Sequence, residues 1–263
     1  MPIVNAPGGD IHYSMQGAGA SLMLLMPQSS GPLGVEPFIH GLAERSSVVS
    51  YDQRGTGQSA PPPTAGPVSM AERADEVIGL LDALSIERTS LFCHSTGCGI
   101  GLAFAAAHGD RLNRLVLVAP WEYGDPFLTT MQTLRINAAK ALDPEVYARF
   151  NASLLFPPTY RRLHEARFSE QAAEAAPQNA KEIAGRLNAI LAFDSRPHLP
   201  NINCPTLVIS AEDDQLMPAW FGRSIAKNIP NAKYVELAGG GHMLLETRTA
   251  ELLGLVSDFL VAN

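Results

Sequence analysis

Cysteine is scarce in this chain: Cys93, Cys98 and Cys204 are the only three in 263 residues. An odd, scattered set offers neither a disulfide framework nor metal-ligand spacing. It fits a reducing compartment in which the thiols act as small core hydrophobes. Positive charge is also short, with 19 Lys and Arg against 26 Asp and Glu for a net charge of −7, and no basic cluster appears, which argues against a nucleic-acid surface. No apolar run approaches a membrane span, and Met1-Pro2-Ile3-Val4-Asn5 lacks the charged start and apolar stretch of a secretory leader. The expectation is a cytoplasmic protein without membrane or nucleic-acid partners. His12, His40, His108, His164 and His198 lack acidic or cysteine partners at ligand spacing, so no metal is expected.

A hydrophobic content of 46% over this length suits one large α/β domain with a sizeable core. Ile11 to Met15 alternates like a strand with one exposed face, whereas Ser21–Met26, Ser47–Tyr51, Thr89–Cys93, Leu115–Ala119, Pro205–Ala211 and Tyr234–Leu237 are short apolar runs of the kind buried in a sheet. Helical spacing follows several of them. In the helix after Ser69, Met70, Ala74, Val77, Ile78, Leu81 and Leu84 recur on one face, which leaves Glu72, Arg73, Asp75, Glu76 and Asp82 expected on the wet side. Leu244 to Leu260 reads as one closing amphipathic helix. Strands alternating with helices imply right-handed crossovers and a mostly parallel sheet. The alternation stops between Trp121 and Pro200, an alanine-rich helical stretch punctuated by prolines, read as a cap inserted at the sheet's carboxyl edge. The core is then residues 1–120 and 201–263, and the cap residues 121–200.

Chemistry concentrates where strands end. In Cys93-His94-Ser95-Thr96-Gly97 a strand turns sharply into a helix, the context in which a G-x-S-x-G elbow presents a nucleophilic serine, here Ser95, although Cys93 stands where the first glycine is expected. The competing reading is an ordinary helix N-cap serine. Cys93 itself is an alternative nucleophile, and His94 a packing or loop-bonding neighbour. The acidic turn Glu212-Asp213-Asp214 and the loop Gly239-Gly240-Gly241-His242 follow later strands at the same edge. Serine, acid, histidine is one of several known chain orders for a hydrolytic triad.

Together these segments resemble the α/β-hydrolase superfamily over nearly the whole chain. Tyr51-Asp52-Gln53-Arg54-Gly55-Thr56-Gly57-Gln58-Ser59 is similar to that superfamily's turn after its fourth strand, and Gly240-Gly241-His242 to its histidine loop. Ser210-Ala211-Glu212-Asp213-Asp214-Gln215-Leu216-Met217-Pro218 is similar to its acid loop, whose aspartate stands four residues before a proline. The resemblance therefore assigns Ser95, Asp214 and His242 as the triad, with Asp214 preferred over Asp213. It implies an eight-stranded, mostly parallel sheet flanked by helices. Within the superfamily, Leu134-Arg135-Ile136-Asn137 and Arg186-Leu187-Asn188-Ala189 resemble the aminoacrylate (carbamate) hydrolases, with enol-lactone hydrolases next.

What the resemblance implies is a cofactor-independent serine hydrolase cleaving a small ester, lactone, amide or carbamate through an acyl-enzyme. The oxyanion would be met by the backbone amide of Thr96 and by one from the loop after Met26. Pro27-Gln28 replaces the family's His-Gly there, so that amide is assigned by position to Ser29, with Gln28 as a side-chain donor. Trp121, Tyr123, Phe127 and Trp220 either line the pocket or fill the core, and Trp121 is the substrate-binding candidate. Carbon–carbon bond hydrolysis or cofactor-free oxygenation on the same fold, and a non-catalytic ligand-binding module, are the alternatives.

Overall fold

The computed structural model describes residues 2–27, 35–63 and 66–262. Eight strands form one sheet: β1 (Ile3–Ala6), β2 (Gly9–Gln16), β3 (Ala20–Leu25), β4 (Ser46–Tyr51), β5 (Thr89–His94), β6 (Leu112–Val118), β7 (Thr206–Ala211) and β8 (Ala232–Leu237). Their spatial order is β1-β2-β4-β3-β5-β6-β7-β8. From β4 onward every neighbour is parallel; β1 and β2 add an antiparallel edge. The sequence pattern missed β1, of which only Ala6 is buried and which so carries no buried-strand signal; pairing with β2, from Ile3 opposite His12 to Ala6 opposite Gly9, makes it a strand.

The period of two in the central strands divides the core. Met23, Leu25, Leu91, Cys93, Leu115 and Leu117 face α2 (Met70–Ala83), α3 (Thr96–Ala107) and α9 (Ala219–Asn228). Leu22, Leu24, Phe92, Val116 and Val118 face α1 (Glu36–Ala43) and α11 (Thr249–Val261) on the other side. Buried on both faces, these strands read as continuous apolar runs.

Two sequence expectations need correction. Arg73 and Glu76 on α2 are buried, not wet. The turn after β4 folds in against α2 and brings backbone groups that need partners: Glu76 Oε1 accepts the Arg54 amide (3.1 Å), Arg73 Nη1 donates to the Arg54 carbonyl (3.0 Å), and Arg73 and Glu76 pair at 2.9 Å. The Arg54 guanidinium in turn holds the carbonyls of Pro7, Gly8 and Gly9. Burial pushes the Glu76 carboxyl upward, and Arg73 opposes this. The closing helix is also divided, into α10 (Leu244–Thr247) and α11, with Arg248 non-helical between them (φ −134°, ψ 34°). Thr247 Oγ1 donates to the Gly240 carbonyl (2.7 Å), tying the break to the glycine loop.

Between β6 and β7 the described chain is helical: α4 (Pro126–Ala141), α5 (Pro144–Leu155), α6 (Pro158–Leu163), α7 (Glu165–Ala173) and α8 (Ala180–Ala192). Asp125 caps α4 by accepting the Leu128 amide, and Asp143 caps α5 by accepting that of Val146. A β-bridge between Tyr123 and Asp194, reinforced by the Ser195 amide on the Glu122 carbonyl (2.8 Å), closes the base of this segment.

Candidate active site

The turn from β5 into α3 places Ser95 at φ 53°, ψ −120°, a left-handed backbone uncommon for a non-glycine residue. The surroundings impose this conformation. The Ser95 amide donates to the Val118 carbonyl (3.0 Å), and its carbonyl accepts the Cys98 amide (2.8 Å). Gly97 lies so close to the Leu25 carbonyl at the end of β3 that no side chain fits there. The departure at position 93 is matched across the strand–helix packing, where the Cys93 sulfur occupies the space a side chain at Gly101 would need. Burial and the neighbouring thiols Cys98 and Cys204 hold Cys93 well above the usual thiol range, which disfavours the thiolate a cysteine nucleophile needs.

Ser95 is the N-cap residue of α3, yet its hydroxyl makes no capping bond. It lies 2.8 Å from His242 Nε2. His242 Nδ1 is 2.8 Å from Asp214 Oδ2, and Asp214 Oδ1 accepts the amides of Leu216 (2.8 Å) and Met217 (2.9 Å). All three residues are buried. A carboxylate only accepts, so the neutral imidazole carries its proton on Nδ1 and leaves Nε2 to accept from the Ser95 hydroxyl. Asp213 points elsewhere: its Oδ1 accepts the Gly241 amide at 2.8 Å and pins the glycine loop.

Two further residues hold His242. The buried His94 ring donates from Nε2 to the His242 carbonyl (2.9 Å), while its Nδ1 has no partner. Burial, followed by the charge of a protonated His242, lowers the His94 pKa to about 3. On the opposite side the Leu155 carbonyl, at the end of α5, accepts the amides of His242 (3.0 Å) and Met243 (3.3 Å). Gly241, at φ 66°, packs against Pro157 and Leu155, where a side chain would collide. Sequence reasoning missed Leu155, because a backbone acceptor leaves no mark on residue type.

The other expected site residues are placed as follows. Thr96 is the first residue of α3, where helical amides have no intrahelical acceptor. Gln28 and Ser29 lie outside the described residues. Just before them, Gln53, buried, donates from Nε2 to the Met26 carbonyl (3.0 Å) and fixes the end of β3. Trp121 has no exposed surface. Its ring lies against Gly99 and edge-on to Phe193, and its indole N–H donates to the Ile190 carbonyl at 3.2 Å. Phe127 and Trp220 are exposed and meet edge-to-face at 5.3 Å, and Tyr123 is covered by the Arg196 guanidinium at 3.7 Å. Among the described residues no cluster of three His, Cys, Asp or Glu could hold a metal ion, and no helix is long and apolar enough to cross a membrane.

A parallel sheet whose carboxyl edge gathers a serine on a strained elbow, a histidine on a loop and an aspartate after β7 defines the architecture of one hydrolase class. Residues 27–249 match the model of the alpha/beta hydrolase fold family, and the chain belongs to that family. The RutD protein of Azorhizobium caulinodans, which carries the provisional name carbamate hydrolase, is 32% identical over 244 residues, covering 92% of this chain and 91% of that one. The RutD protein of Serratia proteamaculans is 34% identical over 228 residues, covering 86% and 85%. Among solved structures, the enol-lactonase from Burkholderia xenovorans LB400 superposes with a TM-score of 0.86 at 27% identity, covering 99% of this chain and 100% of that one.

Proposed function

We propose that this α/β hydrolase is a cofactor-independent serine hydrolase that cleaves a small ester, lactone, amide or carbamate through an acyl-enzyme. The observation that carries this reading is the unbroken relay from Ser95 Oγ through His242 to Asp214, with each link at 2.8 Å. Ser95 Oγ attacks the acyl carbon as its proton passes to His242 Nε2. The tetrahedral intermediate collapses, and the leaving group departs with that proton. A water then repeats the sequence on the acyl-enzyme, giving its proton to His242 and releasing the acid. Asp214 holds the imidazole in the required tautomer and stabilises the imidazolium. The Thr96 amide and that of Ser29, with Gln28 beside it, are the proposed oxyanion donors; losing one such donor costs on the order of 3 kcal/mol in barrier.

The names of the RutD relatives support the carbamate end of this range, and the enol-lactonase neighbour the lactone end. We assign residues 121–200 the role of a lid over the site, acting on a small-molecule substrate in the cytoplasm. Trp121, wedged between α3 and α8, is the candidate for shaping the acyl pocket from behind. The test is a panel of p-nitrophenyl esters, lactones and acrylate-type amides given in parallel to wild type and Ser95→Ala. Turnover by wild type alone is expected. Turnover that survives Ser95→Ala would favour carbon–carbon hydrolysis or oxygenation, in which His242 and Asp214 act without the serine.

A further inference from the structure

Glu246 stands four residues after His242, in the first turn of α10, a place where acids are common and usually wet. Its side chain is nevertheless only 6% exposed, because α6 and α7 of the helical segment meet it there. A shielded carboxylate needs partners, and each of these helices supplies one. Tyr160 Oη donates to Glu246 Oε1 at 2.9 Å, and Arg167 Nη2 pairs with the same oxygen at 2.6 Å. Burial, then the hydrogen bond and charge of Glu246, raise the Tyr160 pKa and keep the phenol a donor. The two partners are themselves held. Tyr160 stacks on Phe156 with ring centroids 5.6 Å apart, and the Arg167 guanidinium lies over the Phe168 ring at 4.9 Å.

Backbone bonds couple Glu246 closely to the imidazole. Its amide donates to the Met243 carbonyl (3.0 Å), and the next residue, Thr247, bonds from Oγ1 to the Gly240 carbonyl, so the first turn of α10 and the glycine loop move as one piece. Packing alone does not fix that piece. A cavity of about 40 Å³ remains between the end of α5 and the two loops, lined by Ser153, Pro157, Asp213, Gln215 and Gly241, which leaves the glycine loop room to shift. Directional bonds set its position: those to the Leu155 carbonyl at His242 itself, and those to Glu246 one turn later. We propose that Glu246, clamped by Tyr160 and Arg167, is a positioning residue that locks the helical segment onto the His242 loop and so aims the imidazole at Ser95. That this aim serves catalysis rests on the serine-hydrolase reading; the lock itself does not.

The kinetic test uses p-nitrophenyl acetate, with active sites first titrated by a fluorophosphonate so that kcat refers only to folded, reactive enzyme. In Glu246→Ala, where Arg167 is 35% exposed and can turn to water, labelling should reach completion but more slowly. Its kcat per titrated site should fall about tenfold to a hundredfold, with KM changed less than about twofold. Glu246→Gln, which still accepts from both partners, should recover most of the loss. If Glu246→Ala does not fold, Tyr160→Phe and Arg167→Met, which keep the ring and stem contacts, should each show part of the same kcat effect. An unchanged kcat per titrated site alongside a lower Tm makes the clamp merely structural and overturns the proposal. So does a raised KM at constant kcat, or a Gln variant as impaired as the Ala. A second readout needs no turnover: the proton on His242 Nδ1, 2.8 Å from Asp214, gives a low-field NMR signal when the imidazole is held in place. It should persist in wild type and Glu246→Gln and broaden or vanish in Glu246→Ala. If wild type neither takes the label nor turns over any ester, the hydrolase reading falls and this signal alone decides the lock. Loss in Glu246→Ala upholds it; a signal absent from wild type, or unchanged in Glu246→Ala, overturns it.

Discussion

The sulfur of Cys93 and the bare α-carbon of Gly101 share one space between β5 and α3. The elbow tolerates a cysteine in place of its first glycine because the facing helix gives up its side chain two turns on. Gly101→Ala should therefore destabilise the fold by about 1 to 3 kcal/mol through overpacking. In a Cys93→Gly background the same change should cost far less, and a double-mutant cycle by urea denaturation reads the difference as a coupling energy. Additive effects would show that the two sites do not compete for space.

Ser95 is expected to react with a fluorophosphonate, and Ser95→Ala to lose both the label and turnover of every acyl substrate. Labelling found on Cys93 by peptide mapping would overturn the assignment of the nucleophile.

The adjacent acids divide their work. Asp214→Asn should lower kcat by about 10³ to 10⁴ with Tm nearly unchanged, because an amide facing Nδ1 favours the wrong tautomer. Asp213→Asn keeps an oxygen for the Gly241 amide and should be mild; Asp213→Ala frees the glycine loop and should cost both kcat and stability. The opposite ranking of the two Asn variants would reassign the acid.

Acid should destabilise this protein partly through His94. Its pKa in the fold is lowered from 6.5 to about 3, so between those values the unfolded chain binds the proton and the native chain does not. The stability contribution is complete above pH 6.5 and is lost as pH falls toward 3, with a slope of at most about 1.4 kcal/mol per pH unit. His94→Gln, which can still donate to the His242 carbonyl, should flatten this part of the stability profile in urea melts taken from pH 7 to 4.

Glu76→Ala should destabilise by about 3 to 5 kcal/mol, because it strands the buried Arg73 guanidinium. Asp75→Ala, one position away on the exposed face, should change Tm little. Equal effects would return Glu76 to the wet side, where helical periodicity alone puts it.

The legible parts of the chain are those where residue type and environment agree. Runs such as Leu115 to Val118 can only be buried strands, and the Ser95 turn, the Asp213-Asp214 pair and the glycine loop before His242 are each marked by small or polar residues at a strand's end. The illegible parts depend on partners distant in sequence. Ile3 to Ala6 becomes a strand because β2 is beside it, and Glu76 is drawn inward by backbone at Arg54. Arg248 breaks a helix whose apolar spacing continues past it. At Ser95 residue type fits a capping serine as well as one bonded to a histidine, because the 2.8 Å contact to His242 Nε2 depends on a loop 147 residues away, and the Leu155 carbonyl leaves no mark on residue type.

The Leu155 carbonyl ties the end of α5 to the backbone of His242. The helical segment and the His242 loop are thus one mechanical unit: any swing of α5 away from the sheet pulls on the backbone that carries the imidazole. Exchanging this segment for that of another family member would also exchange the anchor of the His242 loop. Chimaeras joined at the Tyr123–Asp194 neck should consequently lose proton transfer first, and recover it only when the residue contributed at position 155 restores that carbonyl's reach.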